Sequence, residues 1–240
     1  MFNMLVIEDD ALQCKQLVNI ISSSISNIKL YSMSFNGEEA LEIIKNSDIE
    51  IILMDLILPD ISGIQILEYI EKNELVRLKK SIIIVSGEAY LHPNLYKNKY
   101  IKNSFQKPIN FDKIIQSINE IIIDKNKRID EMLIKNKIYK ELNELNYNFS
   151  YIGTQYLCEI IYEIYVTEKT TKNLSKNVYP IIARKHSTTI NTVKCNIFHA
   201  TMNSYYDCDQ NKLERYFGRR FLSKPTTMDV INKILDNIKK

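Results

Sequence analysis

The sequence predicts two domains of different class. Residues 1–124 form a doubly wound α/β domain built on a five-stranded parallel sheet. Residues 148–240 form an all-α domain containing a helix-turn-helix, and a charged helical linker at 125–147 joins the two. Three observations carry this. In the first half, short apolar runs alternate with segments whose apolar residues recur at helical spacing, the pattern of βαβ units under a sheet covered on both faces. In the second half only the helical spacing recurs. The charge also divides: residues 1–124 carry 12 Lys/Arg against 17 Asp/Glu, a net −5, whereas residues 151–240 carry 14 against 8, a net +6.

Taken in order, the strand-like runs are Phe2–Ile7, Lys29–Met33, Glu50–Asp55, Ser81–Ser86 and Lys102–Gln106. The helix between the first two, Ala11–Ser24, puts Leu12, Leu17, Ile20 and Ile21 on one side. Gly37–Asn46 does the same with Ala40, Leu41, Ile43 and Ile44, and Ser62–Asn73 with Ile64, Ile66, Leu67 and Ile70. Glu88–Tyr100 is a poor helix because Pro93 interrupts it. Phe111–Asp124 returns to the pattern with Ile114, Ile115, Ile118 and Ile122. The linker has neither Gly nor Pro; its seam of Ile129, Leu133, Ile138 and Leu142 is too short for a sustained coiled coil. Five helices follow: Tyr151–Thr167, Val178–Lys185, Ile190–Tyr206, Asp209–Arg219 and Thr227–Lys239.

Composition narrows the class. With 45% hydrophobic and 25% charged residues the chain reads as an ordinary globular protein. The longest apolar stretch, Ile51–Leu58, is broken by Asp55, which predicts no membrane span. The N-terminus has no basic n-region and no small-residue cleavage site, so a cytoplasmic location is expected. The four cysteines form no CxxC pair and read as reduced thiols rather than a zinc site or a disulfide framework. His92, His186 and His199 are isolated, and no constellation suggests an output enzyme.

Open parallel sheets place ligands at the carboxyl ends of their strands. Here those ends read Glu8-Asp9-Asp10, Asp55, Ser86 and Lys107-Pro108. Carboxylates gathered on one rim are hard oxygen donors suited to Mg²⁺. A carboxylate beside that ion can attack a phosphoryl group, while a lysine and a hydroxyl supply a cation and a donor for the phosphoryl oxygens.

The runs VIEDD (Val6–Asp10), MDLILPDISG (Met54–Gly63), VSGE (Val85–Glu88) and QKP (Gln106–Pro108) resemble the response-regulator receiver domain of two-component signalling, a flavodoxin-like fold. The resemblance implies that Asp55 accepts phosphate from a phosphohistidine on a histidine kinase or phosphotransfer protein. It implies that Glu8, Asp9, Asp55 and the carbonyl of Ile57 hold Mg²⁺, that Ser86 is the switch hydroxyl, and that Lys107 binds the phosphate. Such domains usually carry Tyr or Phe three residues before the lysine; here that position is Ser104, with Phe105 following. A one-residue step in a strand changes face, so Phe105 is expected in the core and Ser104 outward.

In the second half, Val178–His186, a Ser-Thr-Thr turn and Ile190–Tyr206 have helix-turn-helix proportions. VYPIIARKHSTT (Val178–Thr189) and LERYFGRRFLSKPTT (Leu213–Thr227) resemble the C-terminal effector domain of the stage-zero sporulation transcription factor. That family implies DNA binding, a phosphorelay donor and a homodimer formed on phosphorylation. The second helix departs from the family: Thr192, Cys195 and Phe198 stand where it carries Arg, and His199 is retained. DNA contacts are therefore expected from Thr189, Asn191, Thr192, Lys194, Cys195, Asn196 and His199, with Asn191 and Asn196 suited to adenine. Lys185, Arg215, Arg219, Arg220 and Lys224, together with Lys194, would anchor phosphates. These readings predict a phosphorylation-controlled transcription regulator related to the sporulation factor. The alternative is a receiver-bearing interaction protein that antagonises a paralogous regulator without specific DNA readout.

Overall fold

A computed structural model describes residues 1–87, 95–168 and 173–239. Glu88, His92 and Pro93 lie outside these residues. Two units emerge, Met1–Lys127 and Arg128–Lys240.

The first unit is a five-stranded parallel sheet in the order β2-β1-β3-β4-β5, formed by β1 (Phe2–Ile7), β2 (Ile28–Ser34), β3 (Ile51–Met54), β4 (Ile82–Ser86) and β5 (Ile101–Gln106). The crossovers include α1 (Ala11–Ser24), α2 (Gly37–Asn46) and α3 (Gly63–Lys72). The fifth strand leads into α4 (Phe111–Glu144). Alternation along the strands sends side chains to two cores. Leu5, Ile7, Ile52, Met54, Ile82 and Ile84 meet Ala40 and Ile44 of α2 and Ile66, Leu67 and Ile70 of α3. Met4, Val6, Leu53, Ile83 and Val85 meet Cys14, Leu17 and Ile21 of α1 and Ile114, Ile118 and Ile121 of α4. Both faces are covered, which is why β1, β3 and β4 are almost continuously apolar.

Strand β5 pairs Ile84 with Ser104 and Val85 with Phe105. Phe105 accordingly packs on the α1/α4 side. Ser104 is not turned out to solvent as its sequence position suggests. It is half-buried on the opposite face, and its Oγ is buried without a hydrogen-bond partner among the described residues.

The second unit is helical, with no strand among its described residues. Its elements are the end of α4, α5 (Ile152–Thr167), the single turn α6 (Leu174–Asn177), α7 (Tyr179–Lys185), α8 (Ile190–Asp207), α9 (Gln210–Phe217) and α10 (Thr227–Ile238). Its core joins Leu157, Ile160 and Ile161 of α5 to Val193, Ile197 and Ala200 of α8 and Val230, Ile231 and Ile234 of α10. Ile138, Leu142, Leu145 and Tyr147 are buried in that same core. The stretch 125–147, read from its charge as a linker, is therefore helical to Glu144 but from Ile138 onward belongs to the packing of the second unit. Charge hid this because four apolar residues spaced over ten positions suffice for one buried face. Hydrogen bonds fix the junction: Ser204 Oγ donates to the Leu145 carbonyl at 2.6 Å, and the Asn146 side chain donates to the Asp207 carbonyl at 2.8 Å.

Helix ends follow local chemistry. Asp10, Asn36, Ser62, Thr189, Asp209 and Thr226 are N-caps whose side chains accept from backbone N–H groups one turn on. Helix α9 stops at Gly218, whose φ of 72° lies in the left-handed region that glycine enters freely.

Candidate functional site

The carboxyl ends of β1, β3, β4 and β5 bring Glu8, Asp9, Asp55, Ser86 and Lys107 to one rim. Backbone pairing holds the rim in place: Asp55 N–H donates to the Ile7 carbonyl and Lys107 N–H to the Ser86 carbonyl, each at 3.0 Å. Gly63, which opens α3, lies so close that a Cβ there would stand 2.7 Å from the Asp55 carbonyl oxygen. Glu8 and Asp55 are buried, whereas Asp9 is exposed. Ligand oxygens of these three lie within 4.8 Å of one another. Lys107 Nζ donates to Glu8 at 2.8 and 3.0 Å and to Asp55 Oδ2 at 2.7 Å. The other Asp55 oxygen accepts from the Ile57 N–H at 3.0 Å.

Electrostatics match this crowding. Burial pushes the Glu8 carboxyl above its ordinary value, and the negative charges of Asp55 and Asp9 add to the rise against the pull of Lys107. Burial alone would lower the Lys107 ammonium, but its bonds to Asp55 and Glu8 outweigh that and raise it. Ser86 Oγ is buried on the same rim without a hydrogen-bond partner among the described residues. Three carboxylates, one of them open to solvent, are a donor set that fits a hard divalent cation retaining several waters. Asp10, next to this trio in sequence, is not part of it; its Oδ1 accepts from Leu12 and Gln13 N–H at 2.8 and 3.1 Å and caps α1.

The predicted DNA contacts lie on α7, α8 and the α9–α10 segment. Asn191, Thr192, Lys194, Cys195 and His199 are exposed on α8, opposite buried Val193, Ile197 and Ala200. Gly153 of α5 sets this helix: a Cβ there would fall 2.0 Å from the Asn196 carbonyl oxygen. Asn196 is half-buried and its amide donates to the Thr192 carbonyl at 3.0 Å, so it is turned back onto its own helix. Thr189 caps α8, accepting from Thr192 N–H at 3.1 Å. Lys185 is paired with Glu159 at 2.9 Å, a carboxylate that also meets His186 at 3.1 Å. Arg219 is paired with Asp229, and Arg215 Nε donates to the Asn211 carbonyl at 3.2 Å. Lys194 and Arg220 are exposed and form no ion pair among the described residues. Phe198, one of the positions that departs from the family, is exposed on the same helix as Lys194, with Lys224 Nζ 4.4 Å from its ring centroid.

Known proteins resemble each half. Residues 4–119 match the response regulator receiver domain, and residues 138–238 match the sporulation initiation factor Spo0A C terminal domain. Neither matched family is an enzyme family. The cell cycle response regulator CtrA of Brucella ovis is 30% identical over 119 residues, covering 49% of this chain and 49% of that protein. The chain thus spans about half the length of this curated relative. Among solved structures, a CheY-like receiver domain protein of Methanospirillum hungatei is 22% identical, covering 53% of this chain and 98% of that one with a TM-score of 0.46. The response regulator TrrA of Thermotoga maritima, solved with Mg²⁺-BeF, is 20% identical, covering 50% and 99% with a TM-score of 0.43. No helix among the described residues is long and apolar enough to cross a membrane. The chain thus combines a response regulator receiver domain at residues 4–119 with a domain of the Spo0A C-terminal type at residues 138–238.

Proposed function

We propose that this protein is a cytoplasmic, phosphorylation-controlled transcription regulator in which Asp55 takes a phosphoryl group from a phosphohistidine partner and the helical domain binds DNA. The observation that carries the first part is the convergence of Lys107 on Asp55 and Glu8 beside the exposed Asp9. Glu8, Asp9, Asp55 and the Ile57 carbonyl would hold Mg²⁺, which when bound offsets charge on the phosphoryl oxygens. The Asp55 carboxylate is the nucleophile: an oxygen–phosphorus bond forms there as the donor's phosphorus–nitrogen bond breaks. Lys107 is already positioned to exchange a carboxylate oxygen for a phosphoryl oxygen. The unpartnered Ser86 hydroxyl gains in the phosphorylated state an acceptor that it lacks among the described residues.

For the second part, support comes from the exposed face of α8 and the cations around it. Lys194, Arg220 and Lys224 are the residues best placed to anchor phosphates, and Asn191 is the amide free to address adenine. Phosphorylation would drive a homodimer, the form that two half-sites on DNA require. Asp55→Asn should abolish labelling by a small phosphodonor in Mg²⁺, and a gel shift with and without a phosphoryl mimic should show tighter binding to genomic fragments with it. Continued uptake of one acid-labile phosphate by Asp55→Asn would displace the nucleophile. Absence of any shifted fragment at about 50 mM salt would leave an antagonist that acts by binding a paralogous regulator.

A further inference from the structure

Phe198 is half-exposed, at 49%, in the middle of α8. The helix buries Val193, Ile197, Ala200 and Ser204. At 3.6 residues per turn, Asn191, Cys195 and Phe198 stack on the opposite side, with Lys194 on one flank and Thr192 and His199 on the other. The reading stripe is thus largely apolar, and Lys194 is the only Lys or Arg that α8 contains. Guanine readout wants Arg or Lys reaching two acceptors at once, and the centre of this stripe offers neither.

The phenyl ring is nevertheless held. Lys224 Nζ lies 4.4 Å from its centroid and the His199 ring meets its edge with centroids 5.7 Å apart. An ammonium over an aromatic face fixes both groups. Lys224 comes from the segment between α9 and α10, which also carries exposed Arg219 and Arg220. An apolar ring flanked by cations is complementary to a surface with anionic rails and apolar points between them. In the major groove those are the phosphates and the thymine C5-methyl groups.

We propose that Phe198, steadied by Lys224, reads thymine by packing on its C5-methyl group, so that this protein selects A·T pairs by an apolar contact where a basic side chain would select guanine. The inference rests on the DNA-binding reading above and deepens it. Asn191, in the same stripe two turns towards the helix start, is the matching group for adenine.

The test uses the full chain with beryllofluoride and Mg²⁺. A duplex is first enriched from a random library, then remade with uracil in place of every thymine, a change that removes only methyl groups. Wild-type protein should bind the uracil duplex about four-fold more weakly per contacted methyl, the worth of roughly one buried methylene. Phe198→Ala, whose side chain is exposed and whose melting should match wild type, should lose that factor on the thymine duplex and little on the uracil one. Phe198→Leu, still apolar, should keep the discrimination. Equal wild-type affinity for both duplexes, or thymine preference retained by Phe198→Ala, overturns the inference while DNA binding itself stands. If the library enriches no duplex at all, the DNA reading fails and the inference with it.

Discussion

Lys107 sets one positive charge between Glu8 and Asp55, so removing it leaves two buried carboxylates facing each other with no cation between them. Lys107→Met should destabilise the first unit by about 3 kcal/mol or more, the scale of breaking a buried pair. Millimolar Mg²⁺ should restore more stability to the variant than to the wild type in urea melts, because it supplies the missing positive charge. Glu159 gives a second residue-level expectation. Burial works to raise its carboxyl, but hydrogen bonds from Lys185 and His186 outweigh it and hold the group below its ordinary value. A depressed folded value means stability that is present above the unfolded pKa, roughly 4.3, and lost as the pH falls through the folded value. Glu159→Gln should therefore show lower stability at neutral pH and a flatter acid limb. The pocket residues were legible in the sequence because strand ends must share a rim once the sheet is parallel. Asp10 was not separable from them, since only helix geometry tells a cap from a ligand. Phe198 offers no hydrogen-bonding group, so nothing in the sequence marks it as a contact. Its exposure and its lysine both depend on how α8 packs.

In β5 the strand register decides the roles of neighbours. Phe105 faces the α1/α4 core only partly buried, so Phe105→Ala should cost about 1–3 kcal/mol, below the roughly 3–5 of a fully buried ring. Ser104→Ala removes a buried hydroxyl that has no partner among the described residues and should be neutral or stabilising by up to about 1 kcal/mol in thermal melts. In the second unit, Gly153→Ala would drive a methyl into the Asn196 carbonyl and push α5 from α8. We expect a loss of about 3 kcal/mol, at the upper end of overpacking, and, on the proposed function, weaker DNA binding from a displaced α8. Elements with strong periodicity were readable to within a residue or two: β1, α1 and α2 end where the sequence reading ended them. Those set by capping or isolated turns were not. Helix α9 stops two residues earlier than expected, at the left-handed Gly218, and the single turn α6 has too few residues to show a period.

On the scale of the chain, the sequence separated an acidic α/β half from a basic helical half, and the contacts divide at Lys127. Composition could not show that the charged connector ends as core. A fragment 128–240 should fold alone, because it keeps Ile138, Leu142, Leu145 and Tyr147. A fragment 148–240 should not. At about 1.5–3 kcal/mol per buried side chain it forfeits on the order of 6–12 kcal/mol, comparable to the whole stability of a domain, about 5–15 kcal/mol. Circular-dichroism melts of the two fragments distinguish these outcomes. The cysteines have a practical consequence for the intact molecule. Cys14, Cys158 and Cys208 are buried, and burial lifts the thiols of the first two to about 11, while Cys195 is open on the exposed side of α8. A maleimide dye should therefore attach to the native protein once per chain. Because that single attachment point sits beside Phe198, bound duplex should shield it from the reagent, and a dye already in place should report each docking event by its own change in emission.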